Sequence, residues 1–172
     1  MVTGDSFKNI GSGRYPKSRK EEQEYGSGKA GIVLCSDCSS VYWDKSWHHQ
    51  LGKYKNLTED KQIRFARCPA CQMAKDRQFE GRVLVEHVPA ELRGEVEQLI
   101  YNVADRAYTR DSQDRILMFR AYKGNGLEVR TSENQLALII AKQIHRAHKN
   151  TNIDIQLSEE ESVARVRVWW VG

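Results

Sequence analysis

A chain of 172 residues, 40% hydrophobic and 29% charged, has room for one ordinary domain with a modest core and a small additional module. Its longest strongly apolar run, Leu136 to Ala141, is far too short to span a bilayer, which excludes a membrane-crossing helix. The net charge of +4 is unevenly spread: residues 1–30 carry six Lys/Arg against four Asp/Glu and residues 31–75 seven against four, whereas residues 76–131 carry nine against ten and residues 132–172 five against five. The excess lies before residue 76, where a polyanion would bind, although an ordinary solvated surface accounts for it almost as well.

Residues 1–30 scatter Gly4, Gly11, Gly13, Gly26 and Gly28 among Ser, Lys, Arg and Glu, with almost nothing aliphatic to bury. Such a segment cannot offset its ordering entropy and is expected to be a flexible N-terminal arm. Gly26-Ser-Gly-Lys29 is not a phosphate-binding loop: Ala30 stands where Ser or Thr is needed, and no strand precedes it. Met1 to Ala30 also lacks the apolar core of a signal peptide, so a reducing, cytoplasmic compartment is expected.

Residues 31–80 read as a zinc-ribbon module. The only cysteines are Cys35 and Cys38, and Cys68 and Cys71, in two C-x-x-C knuckles. Two knuckles bring four thiolates onto one ion and close a tetrahedral shell with no position for substrate, so Zn2+ is the expected cofactor. Two disulfides, a redox pair and an iron site are the alternatives. The 29 residues between the pairs, 39–67, exceed the usual separation of roughly 15–20 and imply an inserted loop. Ile32 to Leu34 and Val41 to Trp43 flank the first knuckle as the strands of a hairpin. The loop sets Trp43, Trp47 and Tyr54 among Lys45, Lys53 and Lys55: the aromatics suit a miniature core, the lysines a polyanion. His48 and His49 are superfluous as ligands beside four thiolates. Thr58 with Glu59 and Asp60 predicts a short helix leading to Cys68.

Residues 81–172 predict an α/β domain. Val83, Val85 and His87 alternate as a strand. After Pro89, Leu92, Val96, Leu99, Ile100, Val103 and Ala107 recur as the buried stripe of a helix. Arg115 to Tyr122 and Leu127 to Arg130 form a hairpin about Lys123-Gly-Asn-Gly126. Ser132 and Gln135 suggest a capping box for a second helix, buried through Leu136, Ala137, Ile140, Ile144 and Ala147 and closed by Asn150 in a left-handed conformation. Ile153, Ile155 and Leu157 alternate in one strand; Ala164, Val166, Val168 and Trp170 alternate with Arg165, Arg167 and Trp169 in the last. The order β-α-β-β-α-β-β predicts an α+β fold, a split βαβ (ferredoxin-like) sandwich with an extra strand and one sheet face partly open.

On that face Arg165, Arg167 and Trp169 suit RNA, the guanidiniums for phosphates and the ring for a base. Equally, the arginines pair with Glu128 or Asp154 while Trp169 covers the sheet or packs on the zinc module. Lys142, Arg146 and Lys149 share a stripe near the end of the second helix, where the macrodipole alone justifies cations but phosphate contact is equally served. Arg64 and Arg67 flank the second knuckle and join the lysines as candidates for nucleic-acid contact. No catalytic constellation is visible, no carboxylate lies in an apolar run, and no small-molecule substrate is suggested.

The two knuckles, Arg106-Ala-Tyr-x-Arg-Asp111, Thr131-Ser-Glu-Asn-Gln-Leu-Ala137 and Ile144-His-Arg-Ala-His148 resemble a family of small bacterial zinc-ribbon proteins. More distantly, residues 31–171 are similar to the N-terminal region of the archaeal and eukaryotic export adapter of the large ribosomal subunit, which has more knuckles than the two here. The resemblance implies association with RNA, above all on the ribosome. A non-catalytic, zinc-binding, RNA-associated protein is therefore expected, with a protein–protein adapter using the open sheet face, and then a thiol-dependent enzyme, as rival readings.

Overall fold

A computed structural model describes residues 32–43, 45–49, 63–158 and 162–171. The expected N-terminal arm, Lys53, Lys55, Tyr54, the helix expected at Thr58 and the acidic turn 159–161 lie outside the described residues. Within them the protein is a mixed α+β fold with two sheets and three α-helices.

The first sheet contains β1 (Ile32–Cys35), β2 (Val41–Trp43), β3 (Ser46–His48) and β4 (Ile63–Ala66), in the order β3-β2-β1-β4. β1 and β2 are antiparallel, as the hairpin about the first knuckle requires, whereas β4 runs parallel to β1 and pairs Cys35 with Ala66. The chain therefore reaches Cys68 directly from a strand. It then enters α1 (Pro69–Asp76), so the second cysteine pair sits on the first turn of a helix rather than on a second hairpin. Pro69 suits the first helical position because its missing N–H would have no partner there. The helix stops at Arg77, whose φ of 57° is left-handed and whose N–H returns to Ala74 O.

The second sheet contains β5 (Gly81–Glu86), β6 (Ile116–Tyr122), β7 (Gly126–Thr131), β8 (Thr151–Ser158) and β9 (Val163–Trp170). Its order is β6-β7-β5-β9-β8; β5 and β9 are parallel and the other pairs antiparallel. The last strand thus lies inside the sheet and β8 takes the edge. α2 (Arg93–Arg110), entered through a 3-10 turn at Ala90–Leu92, and α3 (Asn134–Ala147) pack together on one face. Val83, Val85, Leu127, Val129, Ala164, Val166, Val168 and Trp170 meet Val96, Ile100, Val103, Leu136, Ile140 and Ile144 in one core. Gly81 permits this: a Cβ there would lie 2.2 Å from Thr131 Oγ1 and 2.5 Å from Ala137 Cβ, so only glycine lets α3 settle on β5.

Several local expectations are corrected. Ser132 does not cap α3: Glu133 occupies the cap position and its side chain makes no capping bond, and the Ser132 hydroxyl instead donates to Gln113 O and accepts from Arg115 N–H. Ala147 is exposed, and Leu138 and Ala141 are buried in addition. α3 ends through His148 in extended backbone, and Asn150 O accepts the Val171 N–H rather than closing the helix. His87 has φ of 56° and lies beyond β5, exposed.

Candidate metal centre

The knuckle between β1 and β2 and the first turn of α1 carry the four cysteines to one point. All four sulfurs lie within 4.8 Å of one another, none in a disulfide. Cys38 Sγ and Cys68 Sγ are 3.8 Å apart, and tetrahedral coordination with Zn–S of about 2.3 Å gives sulfur–sulfur edges of about 3.8 Å. A disulfide would need about 2.05 Å. The donor set fits a thiophilic divalent ion, with every position filled by protein. His48 is not part of it: its Nε2 lies 2.9 Å from Ser46 Oγ and 3.2 Å from Trp43 O.

Backbone amides organise the sulfurs. Asp37 N–H and Cys68 N–H donate to Cys35 Sγ at 3.4 and 3.3 Å. Cys68 is the N-cap of α1 and Cys71 lies in its first turn, where the positive end of the helix favours thiolate. Val33, Tyr42, Trp47 and Ala70 are buried around Cys35 and Cys68, so Tyr42 and Trp47 supply the miniature core. Arg67, a sequence candidate for phosphate, is committed elsewhere: its guanidinium pairs with Asp37 of the other knuckle and reaches Gln72 Oε1 at 3.3 Å.

The second sheet completes the site. Arg115, at the entrance to β6, donates through Nη1 to Cys71 Sγ (3.4 Å) and through Nη2 to Cys38 Sγ (3.4 Å) and Ser40 Oγ (2.9 Å), with Cys68 Sγ at 3.9 Å. Its Nε donates to Ser112 O at 2.6 Å and its guanidinium lies 5.6 Å from the Tyr108 ring centre, which fixes the fork. Gln113 Oε1 accepts the Ala70 N–H at 3.1 Å and so satisfies an otherwise orphaned donor in the first turn of α1. His49 meets Tyr108 edge-on at 4.5 Å. Four thiolates around a divalent ion leave two excess negative charges, and Arg115 offsets one of them.

These contacts set the proton affinities of the metal-free thiols. Burial alone would raise Cys38; hydrogen bonds from the Ser40 hydroxyl and amide and from Arg115 overcome it and bring the thiol down to about 6. Burial pushes Cys68 and Cys71 up. Burial also disfavours the Arg115 cation, but its contacts with Cys38, Cys68 and Cys71 hold it more firmly protonated than usual. One carboxyl does sit where the sequence suggested none: Asp114 lines a cleft of about 300 Å³ with Tyr101, Tyr108 and Ile116, and burial, then the nearby Asp111 charge, push it up to about 6.

Those residues expected to contact nucleic acid that are among the described residues are not gathered into one site. Arg64 and Lys45 are exposed on the first sheet. Lys142, Arg146 and Lys149 are exposed on and just beyond α3, on the helix-covered side of the second sheet. Arg165, Arg167 and Trp169 occupy its open side. There Arg167 forms an ion pair with Glu86 (2.7 Å), stands opposite Asp154 of β8 in register, whose charge also favours its cation, and lies 5.7 Å from the Trp169 ring centre. Trp169 pairs in register with Glu86, whereas Ala164 pairs with Gly81 and, through β7, that end of the sheet adjoins Ile116. Trp169 is thus five residues along the strand from the Arg115 end, roughly 16 Å, away from the cysteine cluster that Arg115 reaches.

Sequence reasoning missed Arg115, Gln113 and Ser40, whose roles depend on contacts across 43–77 positions. It also missed Arg82, Arg120 and Arg130, which surround Glu128 on the open face; period-two alternation along β5, β6 and β7 carried that signal. No helix among the described residues is long and apolar enough to cross a membrane. Comparisons with protein-family models, curated proteins and solved structures give no match.

Proposed function

We propose that the chain is a non-catalytic protein in which Cys35, Cys38, Cys68 and Cys71 hold one structural Zn2+ and which associates with RNA, with the ribosome as the setting the motif resemblance suggests. The observation that carries the first part is the closed donor set: four sulfurs within 4.8 Å, with Arg115 spent on charge compensation and no ligand position left for substrate. The zinc-ribbon and split-βαβ descriptions are retained as proposals for the two halves. Support for RNA comes from the basic balance of residues 1–75 and from the arginines on the open sheet face, which favour a polyanion over the apolar contact a protein adapter would need.

Metal analysis of the purified chain should give about one zinc per chain; iron, or a folded module with free thiols and no metal, would overturn the metal assignment. Co-sedimentation with ribosomal subunits from its source should weaken steeply as salt rises. Failure to bind subunits or RNA at low salt would remove the second part and leave the first intact.

A further inference from the structure

Glu128 is fully buried on β7, on the open face of the second sheet, yet no helix among the described residues covers it. Three arginines do. Oε1 accepts Nε–H of Arg82 at 2.8 Å and of Arg130 at 3.1 Å; Oε2 accepts Nε–H and Nη2–H of Arg120 at 2.8 and 2.5 Å. One carboxylate cannot neutralise three guanidiniums, so the cluster keeps an excess of two positive charges.

The register sharpens this. Arg82 stands directly between Arg130 on β7 and Arg165 on β9, and like charges facing each other across strands destabilise a sheet. A surface with no anion to bind would gain by placing Thr or Glu at one of these positions. Arg82 and Arg130 spend only Nε on the carboxylate, and their Nη groups have no protein acceptor among the described residues. Arg130 is also held 4.6 Å from the Phe79 ring centre. Glu128 therefore does for these side chains what a scaffold does for a site: it fixes the planes and leaves the terminal donors facing out. Fixed, paired N–H donors match phosphate oxygens, and their ordering entropy is already spent.

We infer that Arg82, Arg120 and Arg130, set by Glu128, form a preorganised phosphate-binding array on the open sheet face whose ligand is the backbone of single-stranded RNA. This rests on the RNA reading above and assigns it a surface. Tyr122 and Trp169 lie on the same face toward its other end, within the sheet that carries the array, and offer rings for unstacked bases.

The test uses the full chain in its zinc form and a fluorescein-labelled single-stranded RNA of about 12 nucleotides. Arg120→Gln with Arg130→Gln should weaken binding at least tenfold and flatten the log–log salt dependence by about 1.4, two contacts at about 0.7 each, with zinc content and circular dichroism unchanged. Arg82→Lys, which keeps charge but loses the fork, should also weaken binding and guards against misfolding of the double variant. Wild-type affinity in both array variants, with loss instead in Lys45→Gln plus Arg64→Gln, would overturn the array and leave the RNA reading standing. No binding of wild type at low salt would end both. Displacement of the RNA by a poly-glutamate peptide of equal charge would make the occupant an acidic protein and refute the RNA assignment.

Discussion

Arg115 acts on the metal site without being a ligand. Its two terminal nitrogens reach three of the four sulfurs, so it neutralises charge that would otherwise favour proton entry and metal loss. Groups that orient or compensate metal ligands typically change metal affinity by roughly 10- to 100-fold when removed. Arg115→Ala should therefore accelerate zinc transfer to a chromogenic chelator by that order, and Arg115→Lys should recover part of it, having charge but no fork. An unchanged transfer rate in Arg115→Ala would mean that the guanidinium merely fills space. At Glu128 the pH dependence is the informative quantity. Burial would raise its carboxyl, but the hydrogen bonds from Arg120, Arg82 and Arg130 outweigh that and hold it below the ordinary range. A depressed folded pKa contributes stability that is complete above the unfolded value of about 4.3 and is lost as pH falls through the folded value. Glu128→Gln should lower stability at neutral pH by about 1–3 kcal/mol, less than for a fully buried pair because the arginines reach water, and the deficit should shrink in acid. Denaturant titrations of both proteins at pH 7 and in strong acid decide this; equal stability at pH 7 would count against the ion cluster as a structural element.

Among the elements, β9 separates packing from surface most clearly. Val166, Val168 and Trp170 face the helices and are buried, while Arg165, Arg167 and Trp169 face outward. Val168→Ala should cost about 1–3 kcal/mol through the cavity it leaves. Trp169→Ala should leave the melting midpoint nearly unchanged and, if the ring stacks on a base, remove about 1–3 kcal/mol of RNA binding. A large loss of stability in Trp169→Ala would end its role as a platform. The alternation of β9 was legible because it has period two and each face has a distinct chemistry. The stripe of α2 was legible for the same reason at period 3.6. α1 was not: in Pro69 to Asp76 only Ala70 is buried, so no apolar stripe exists to be read, and the helix is held by the cysteine pair and by Gln113. The cap of α3 failed as a prediction because Ser132 found stronger partners in the segment that leads into β6. A local motif loses when tertiary geometry offers its hydroxyl something better.

For the whole molecule, the cysteines were readable because ligand spacing is a local property, whereas the contribution of the second sheet to their site was not. The two sheets also differ in what holds them. The second has a continuous apolar core under α2 and α3; the first has a small cluster built around Cys35 and Cys68, and a structural zinc supplies folding free energy directly. Cys71→Ser, or chelation, should therefore unfold β1–β4 and α1 while the second sheet stays folded. Hydrogen exchange resolved along the chain would reveal this as loss of protection confined to residues 32–76; cooperative loss throughout would make the two halves one folding unit. Acidification should have a milder form of the same effect, because protons compete with the metal for the four thiolates.

The reach of Arg115 across the sequence has a consequence for synthesis. Cys38 and the arginine that bonds it are 77 positions apart, and Cys71 and the same arginine 44. A ribosome delivers all four sulfurs well before their counter-charge emerges, so a nascent chain that captures zinc early does so as an uncompensated anion. Retention of the ion should tighten in a second stage, when residues 112–115 leave the exit tunnel and the second sheet closes behind them.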